Sequence, residues 1–508
     1  MGDRSAKAAS SRRTPHSRAR GVTDYRAAAY NAGVNFVFFM PDELRAESVG
    51  CYGHSLAPTP NMDRLAEEGV RFDQCHVQHT VCTPSRCSLM TGWYPHVRGH
   101  RTLWHCLRPD EPNLLRYLKQ AGYQVHWYGR NDLLAPGSFA DSVTTARQLG
   151  GGVWGRNQYP PEDPRYYSFL FDPYDDPVEQ HNDYANVEAA IEFLKSRPRE
   201  PFALYLPLTF PHCPYSAPPR WHDLIDPESI PALRPADLPG KPDFHALIRR
   251  TRRLSELDEV TFRKIQAVYL GMIGFMDDLL GRLLDALDET GLAKDTAVFA
   301  FSDHGDYAGD YGLVEKWPSG LEDALTRVPM IARVPGGSAG RSVMEPMELF
   351  DVMSTTLDLA GIPARHTHFA RSLVPQIGGL PGDADRAVYA EGGYSRHEPH
   401  CLEGRGEMGD SARESPYYPK LKLQQDHPES VSRAVMLRTS THKLIRRAEG
   451  VNELYDLAAD PLELDNVYER PEHRDAQEAM EKRLLEWYLE TSDVTTFEED
   501  PRGFEPVA

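Results

Sequence analysis

Four short apolar runs, each ending abruptly in charged or imidazole residues, constrain this chain more than any other feature. Val34–Met40 (VNFVFFM) is followed by Asp42 and Glu43, and Tyr123–Tyr128 (YQVHWY) by Gly129-Arg130-Asn131-Asp132. Phe202–Leu208 (FALYLPL) leads to Thr209-Phe210-Pro211-His212, and Thr296–Phe301 (TAVFAF) to Ser302-Asp303-His304-Gly305. Runs this short, rich in β-branched and aromatic residues, read as buried strands. Helical patterns lie between them. The clearest is Phe262–Leu287, where Ile265, Val268, Tyr269, Met272, Met276, Leu279, Leu280, Leu283 and Leu287 recur at spacings of three and four, and Gly291 stands just beyond as a stop signal. Asn113–Gln120 and Val187–Leu194 are shorter candidates. Strands alternating with helices predict an α/β domain with a large, mostly parallel sheet flanked by helices. Ligands of such sheets bind beyond the carboxyl ends of the strands. Four runs that deliver reactive side chains to those ends predict one assembled site.

At 508 residues the chain is longer than a single small core needs. Residues 1–28, with Arg4, Lys7, Arg12, Arg13, Arg18 and Arg20, read as a disordered basic tail. A larger α/β domain, the one that carries the assembled site, is expected over residues 29–380, with a further strand at Val328–Val334. Beyond it, Pro, Gly and charge dominate Glu391–Ser430, which reads as a long irregular surface segment. Ala434–Arg438 and Lys443–Arg446 alternate like two antiparallel strands, and a helix is expected at about Ala476–Tyr488. Residues 381–508 are therefore expected to form a smaller α+β subdomain with an antiparallel sheet and a frayed acidic end at Phe497–Ala508.

Composition excludes several classes. A net charge of −19 argues against nucleic acid as the main partner, whatever the basic tail suggests. No apolar run approaches the length that spans a bilayer, and no apolar stretch follows the N-terminal arginines, so no membrane anchor or secretory signal is recognised and a cytoplasmic location is the expectation. The seven cysteines are odd in number and include no C-x-x-C pair, so neither a disulfide framework nor a zinc ribbon is implied.

The strongest local signal is Cys82-Thr83-Pro84-Ser85-Arg86. Pro84 suits a first helical turn, so Cys82 is expected at a helix N-terminus, where free amides and the helix dipole favour an anion. Arg86, one turn on, adds a charged fork for a tetrahedral oxyanion. Taken alone, the pentapeptide reads more simply as a buried cysteine beside a capped helix.

It does not stand alone. Cys82–Arg86 resembles the C-x-P-S-R signature of type I sulfatases, and Leu89-Met90-Thr91-Gly92 its usual continuation. Asp42-Glu43-Leu44-Arg45 with Gly50-Cys51-Tyr52-Gly53, and Thr59-Pro60-Asn61-Met62-Asp63-Arg64-Leu65-Ala66, resemble further stretches of that family. So do Ser302-Asp303-His304-Gly305 with Gly309-Asp310-Tyr311-Gly312 and Lys316, and Glu453-Leu454-Tyr455-Asp456-Leu457 with Asp460-Pro461. The resemblance covers nearly the whole chain and implies an alkaline-phosphatase/sulfatase-like fold and hydrolysis of a small sulfated substrate. It implies that a formylglycine-generating enzyme converts Cys82 to formylglycine. In that family one hydroxyl of the hydrated aldehyde attacks sulfur and releases the alcohol, and the second then helps expel sulfate by rebuilding the aldehyde, which is covalent catalysis in two steps.

The resemblance also implies a metal at Asp42, Glu43, Asp303, His304 and residue 82 itself. Hard oxygen ligands suit Ca²⁺, which the family commonly uses, while the His304 nitrogen is better tolerated by Mn²⁺. His212, in Pro211-His212-Cys213-Pro214-Tyr215, matches a family histidine that contacts sulfate and can act as general acid. Lys316 matches a sulfate-binding lysine, and Arg130 stands where the family usually has lysine. Two positions depart from the pattern. Glu43 replaces a second Asp and either ligates the metal or bonds formylglycine or substrate. Asp132 replaces a histidine and either contacts a substrate hydroxyl or amine or pairs with Arg130. These departures keep open a phosphonate monoester or phosphodiester hydrolase on the same scaffold, and a metal-binding protein without turnover remains if Cys82 is never oxidised. His96 and His100 are expected in structural roles.

Overall fold

The computed structural model describes residues 33–404 and 413–495; the expected basic tail at 1–28 and the acidic end at 497–508 lie outside the described residues. The chain builds an eight-stranded sheet. Its order is Arg341–Val343, Val70–Phe72, Met330–Arg333, Thr296–Phe301, Asn35–Met40, Phe202–Pro207, Gln124–Tyr128, Thr145–Arg147. The four strand runs read from the sequence are the central, mutually parallel strands. Met330–Arg333 runs antiparallel to both neighbours, which makes the sheet mixed but mostly parallel. A four-stranded antiparallel sheet of Val388–Gly392, Ala434–Arg438, His442–Arg447 and Glu453–Asp456 follows.

The first central strand shows why it is buried on both faces. Phe36, Phe38 and Met40 join one apolar cluster, and Val37 and Phe39 join the other, as period-two alternation demands. All five are fully buried, each burial contributing roughly 1.5–3 kcal/mol. The long helix Glu259–Thr290 covers one face. Asp258 caps it by accepting from Thr261 N at 2.9 Å, and Gly291 ends it at φ 74. The shorter helix Leu114–Gln120, capped by Asn113, packs on the other face.

Two elements differ from the sequence reading. The helix read as Val187–Leu194 begins at Asn182, because its first turn turns the polar Asp183 inward to accept from Thr209 N and Phe210 N. The stretch read as irregular, Glu391–Ser430, ends the strand Val388–Gly392 and holds the helix Tyr418–Asp426. That helix buries Lys420 and Gln424 beside Leu423, so its inner face carries polar residues and shows no apolar period. Among the described residues no helix is long and apolar enough to cross a membrane.

Candidate active site

Cys82 opens the helix Cys82–Thr91, which is buried along its whole length and ends at Gly92 in the left-handed region. Arg86, one turn on, is fully buried and bridges two carboxylates. Its Nε donates to Asp303 Oδ2 and its Nη2 to Asp42 Oδ2, both at 2.7 Å. Ser85 Oγ donates to the Asp303 carbonyl at 2.5 Å, fastening the helix to the strand that delivers Asp303.

With both Oδ2 atoms engaged by Arg86, the other donors gather. His304 Nε2 lies 3.2 Å from Cys82 Sγ, 3.5 Å from Asp42 Oδ1 and 3.9 Å from Asp303 Oδ1, and Cys82 Sγ lies 3.5 Å from Asp42 Oδ1. Asp42, Cys82, Asp303 and His304 thus offer four buried ligand atoms within 4.8 Å of one another. His304 Nδ1 donates to the Gly305 carbonyl at 3.0 Å, which leaves the Nε2 lone pair facing the cluster. Residue 305 must be glycine, because a Cβ there would lie 1.9 Å from the Ala324 carbonyl oxygen.

The protonation states suit a cation. Burial alone would raise Asp42, and Asp303 adds to that, but Arg86, His212 and His304 together hold its carboxyl below the ordinary range. Asp303 is likewise lowered, Arg86 outweighing burial. Burial pushes His304 down, so its imidazole is neutral at physiological pH. Cys82 Sγ occupies the place an oxygen of formylglycine would take, and as a thiol it is pushed well up by burial and by Asp42.

Four of the five residues expected at the metal converge; Glu43 turns elsewhere. Its backbone is left-handed (φ 66), and its carbonyl accepts from Tyr269 OH at 2.6 Å. Its Oε1 accepts from Lys316 Nζ and its Oε2 from Cys213 N at 3.2 Å. Lys316 Nζ also donates to His212 Nε2 at 2.9 Å, while His212 Nδ1 donates to the Cys213 carbonyl. Burial, then Lys316, holds His212 well below its usual value, so the imidazole is neutral. Lys316 stays charged: burial opposes the charge, but Cys82, Glu43 and Glu315 more than offset it.

Arg130 and Asp132 sit at the rim. Arg130 is about a third exposed; its Nε lies 2.7 Å from Asp132 Oδ2, and its Nη1 3.6 Å from Asp42 Oδ2. Asp132 Oδ2 is also 3.5 Å from Arg86 Nη1, so it faces both guanidiniums. His96 and His100 have other partners: His96 bonds Glu391 and Thr491, and His100 bonds the His105 carbonyl and Glu111.

Supporting residues beneath Lys316 escaped the sequence reading. Glu315 accepts from Arg252 Nη2 at 2.6 Å and from Lys420 Nζ at 2.7 Å. Tyr417 OH donates to the Cys213 carbonyl at 3.3 Å. Glu315 adjoins Lys316 in sequence, a usable signal, but Arg252, Tyr417 and Lys420 have no local pattern that points here.

The sulfatase family profile matches residues 34–362, and the profile described as "N-sulphoglucosamine sulphohydrolase, C-terminal" matches residues 402–490. The N-acetylglucosamine-6-O-sulfatase of Bacteroides thetaiotaomicron is 24% identical over 527 aligned positions, covering 90% of this chain and 87% of its own. Among solved structures, the phosphonate monoester hydrolase of Agrobacterium radiobacter superposes with a TM-score of 0.73 at 22% identity, over 91% of this chain and 97% of its own. The structure of BT4656 in complex with its substrate D-glucosamine-2-N,6-O-disulfate superposes with a TM-score of 0.70 at 22% identity, over 93% of this chain and 100% of its own. These two establish the shared fold, and the profile that spans most of the chain establishes descent: this protein belongs to the sulfatase family of the alkaline phosphatase superfamily.

Proposed function

We propose that this enzyme hydrolyses a sulfate monoester of a small molecule, using formylglycine made from Cys82 by a formylglycine-generating enzyme and a divalent cation held by Asp42, Asp303, His304 and residue 82. The observation that carries the reading is the placement of Arg86, which takes one oxygen of each carboxylate and leaves the other donor atoms gathered with Cys82 Sγ and His304 Nε2. Ca²⁺ suits the two carboxylate oxygens, and Mn²⁺ is the alternative because of the imidazole. When present, formylglycine supplies a hydrated-aldehyde nucleophile and the cation a Lewis acid.

The chain's own groups do the rest. Arg86 fixes both carboxylates. Lys316, charged and buried, and Arg130, charged at the rim, bind sulfate oxygens. His212 Nε2 accepts from Lys316, so the proton for the departing alkoxide is delivered by the Lys316–His212 pair. Glu43 accepts a hydrogen bond from that pair and does not turn to the cation. Trp154, whose Nε1 donates to the His212 carbonyl at 3.2 Å, supports a sugar or aryl group on the leaving side.

Asp132 favours a second reading. Its carboxylate lies 3.5 Å from Arg86 Nη1 and 2.7 Å from Arg130 Nε, where it offsets cationic charge at the rim and disfavours a phosphate dianion relative to a monoanionic ester. Phosphonate monoesters and phosphodiesters meet that condition as sulfate monoesters do. Peptide mass spectrometry on the Cys82 segment, after co-expression with a formylglycine-generating enzyme, tests the proposal. A loss of roughly 18 Da from the thiol form is expected on replacing CH₂–SH by CHO, with faster turnover of sulfate than of phosphonate esters. A thiol that survives competent maturation overturns it in favour of a metal-binding protein without turnover.

A further inference from the structure

We propose that His442, Asp456 and His473 form a second metal site, for a borderline transition-metal ion of the zinc class, and that it staples the last helix to the antiparallel sheet. The site shares no residue with the Asp42 cluster and does not depend on the proposed reaction.

The backbone brings the three together. His442 opens the strand His442–Arg447 and Asp456 ends the strand Glu453–Asp456, and the two residues are directly opposed in the antiparallel register. Directly opposed residues project to the same face of a sheet. His473 is the N-cap of the helix Arg474–Thr491 and is carried to that face by the turn Pro471–His473. Each residue offers one ligand atom, and the three atoms lie within 4.8 Å of one another. Tetrahedral Zn²⁺ with bonds of about 2.0–2.1 Å wants neighbouring ligand atoms about 3.3 Å apart. All three side chains are half-buried, so small rotations can close that gap and solvent can fill the remaining position.

Two hydrogen bonds already orient the donors. Asp456 Oδ1 accepts from Ala458 N at 3.1 Å, which fixes the carboxylate plane. His442 Nδ1 lies 3.0 Å from Thr441 Oγ1, a contact that restrains the imidazole ring. Two imidazoles and one carboxylate select Zn²⁺, Co²⁺ or Ni²⁺ over Ca²⁺, which needs six or more oxygens. The consequence is mechanical. The far half of the last helix is held by Trp487, stacked on Tyr389 at 4.5 Å, and a metal at His473 would pin its first turn to the same sheet.

The test is a titration of the Ca²⁺-saturated protein with Zn²⁺ by calorimetry and with Co²⁺ by visible absorption. One equivalent beyond the catalytic site is expected, retained in Asp303→Asn and weakened at least tenfold in His473→Ala and in His442→Asn. Zn²⁺ should also raise the unfolding midpoint of the unaltered protein but not of His473→Gln. No equivalent beyond the catalytic site overturns the proposal, as does undiminished zinc binding in the folded histidine variants.

Discussion

Lys420 Nζ donates to Glu315 Oε1 at 2.7 Å, and both side chains are almost fully buried. Glu315 has a left-handed backbone (φ 65) and immediately precedes Lys316, so a lysine from a helix 105 residues away holds the turn that presents the cation proposed to bind sulfate. Burial would raise Glu315, but Lys420 and Arg252 keep it ionised. Lys420→Met leaves a buried carboxylate with one cation instead of two. It is expected to cost about 3 kcal/mol of stability and to lower kcat/KM at least tenfold. Urea unfolding and steady-state kinetics check the two effects separately.

Arg86→Lys keeps a positive charge but not the fork that spans Asp42 Oδ2 and Asp303 Oδ2. With the carboxylates free to rotate, kcat/KM should fall by roughly 100-fold or more and the cation should bind more weakly. Kinetics over a range of Ca²⁺ concentrations checks this; full activity at ordinary Ca²⁺ would remove Arg86 from its orienting role.

Cys82→Ala is expected to abolish turnover while leaving the helix Cys82–Thr91 in place, because Val81 caps it through no side chain of its own and Cys82 adds no cap. Circular dichroism and thermal unfolding report the fold, and an ester assay reports activity. A fully active Cys82→Ala protein would sink the nucleophile assignment.

Chelation should extinguish activity, and Ca²⁺ or Mn²⁺ should restore it. Beside Cys82, the donor set is two ionised carboxylates and one neutral imidazole, all buried. Activity that persists through exhaustive chelation would end the metal assignment.

Glu391 predicts a pH dependence away from the Asp42 cluster. It is fully buried and accepts from His96 and Arg101. Burial would raise its carboxyl, but Arg101 and His96 bring it down from 4.5 to about 2. A depressed folded value stabilises above the unfolded value, and that contribution is lost as pH falls from about 4.5 towards 2. Glu391→Gln should therefore cost about 3 kcal/mol at neutral pH. The gap from the unaltered protein should shrink over that acid window in a series of denaturant titrations.

The sequence alone determined the central strands, the reactive residues at their carboxyl ends and the helix that opens at Cys82. Apolar runs such as Thr296–Phe301 are buried on both faces, so composition marks them without reference to the rest of the chain. Asp42, Cys82, Arg86, Asp303, His304, His212 and Lys316 were legible because each follows a strand or sits in a contiguous motif. Only the tertiary structure decided which way Glu43 points, since a left-handed residue one position past Asp42 turns its side chain to Lys316 instead of to the Asp42, Cys82, Asp303 and His304 cluster. It likewise paired Asp132 with Arg130 and brought Lys420 beneath Lys316. Local pattern encodes burial and period, whereas a buried ion pair is set by where two distant backbones meet, and no residue in either segment records its partner.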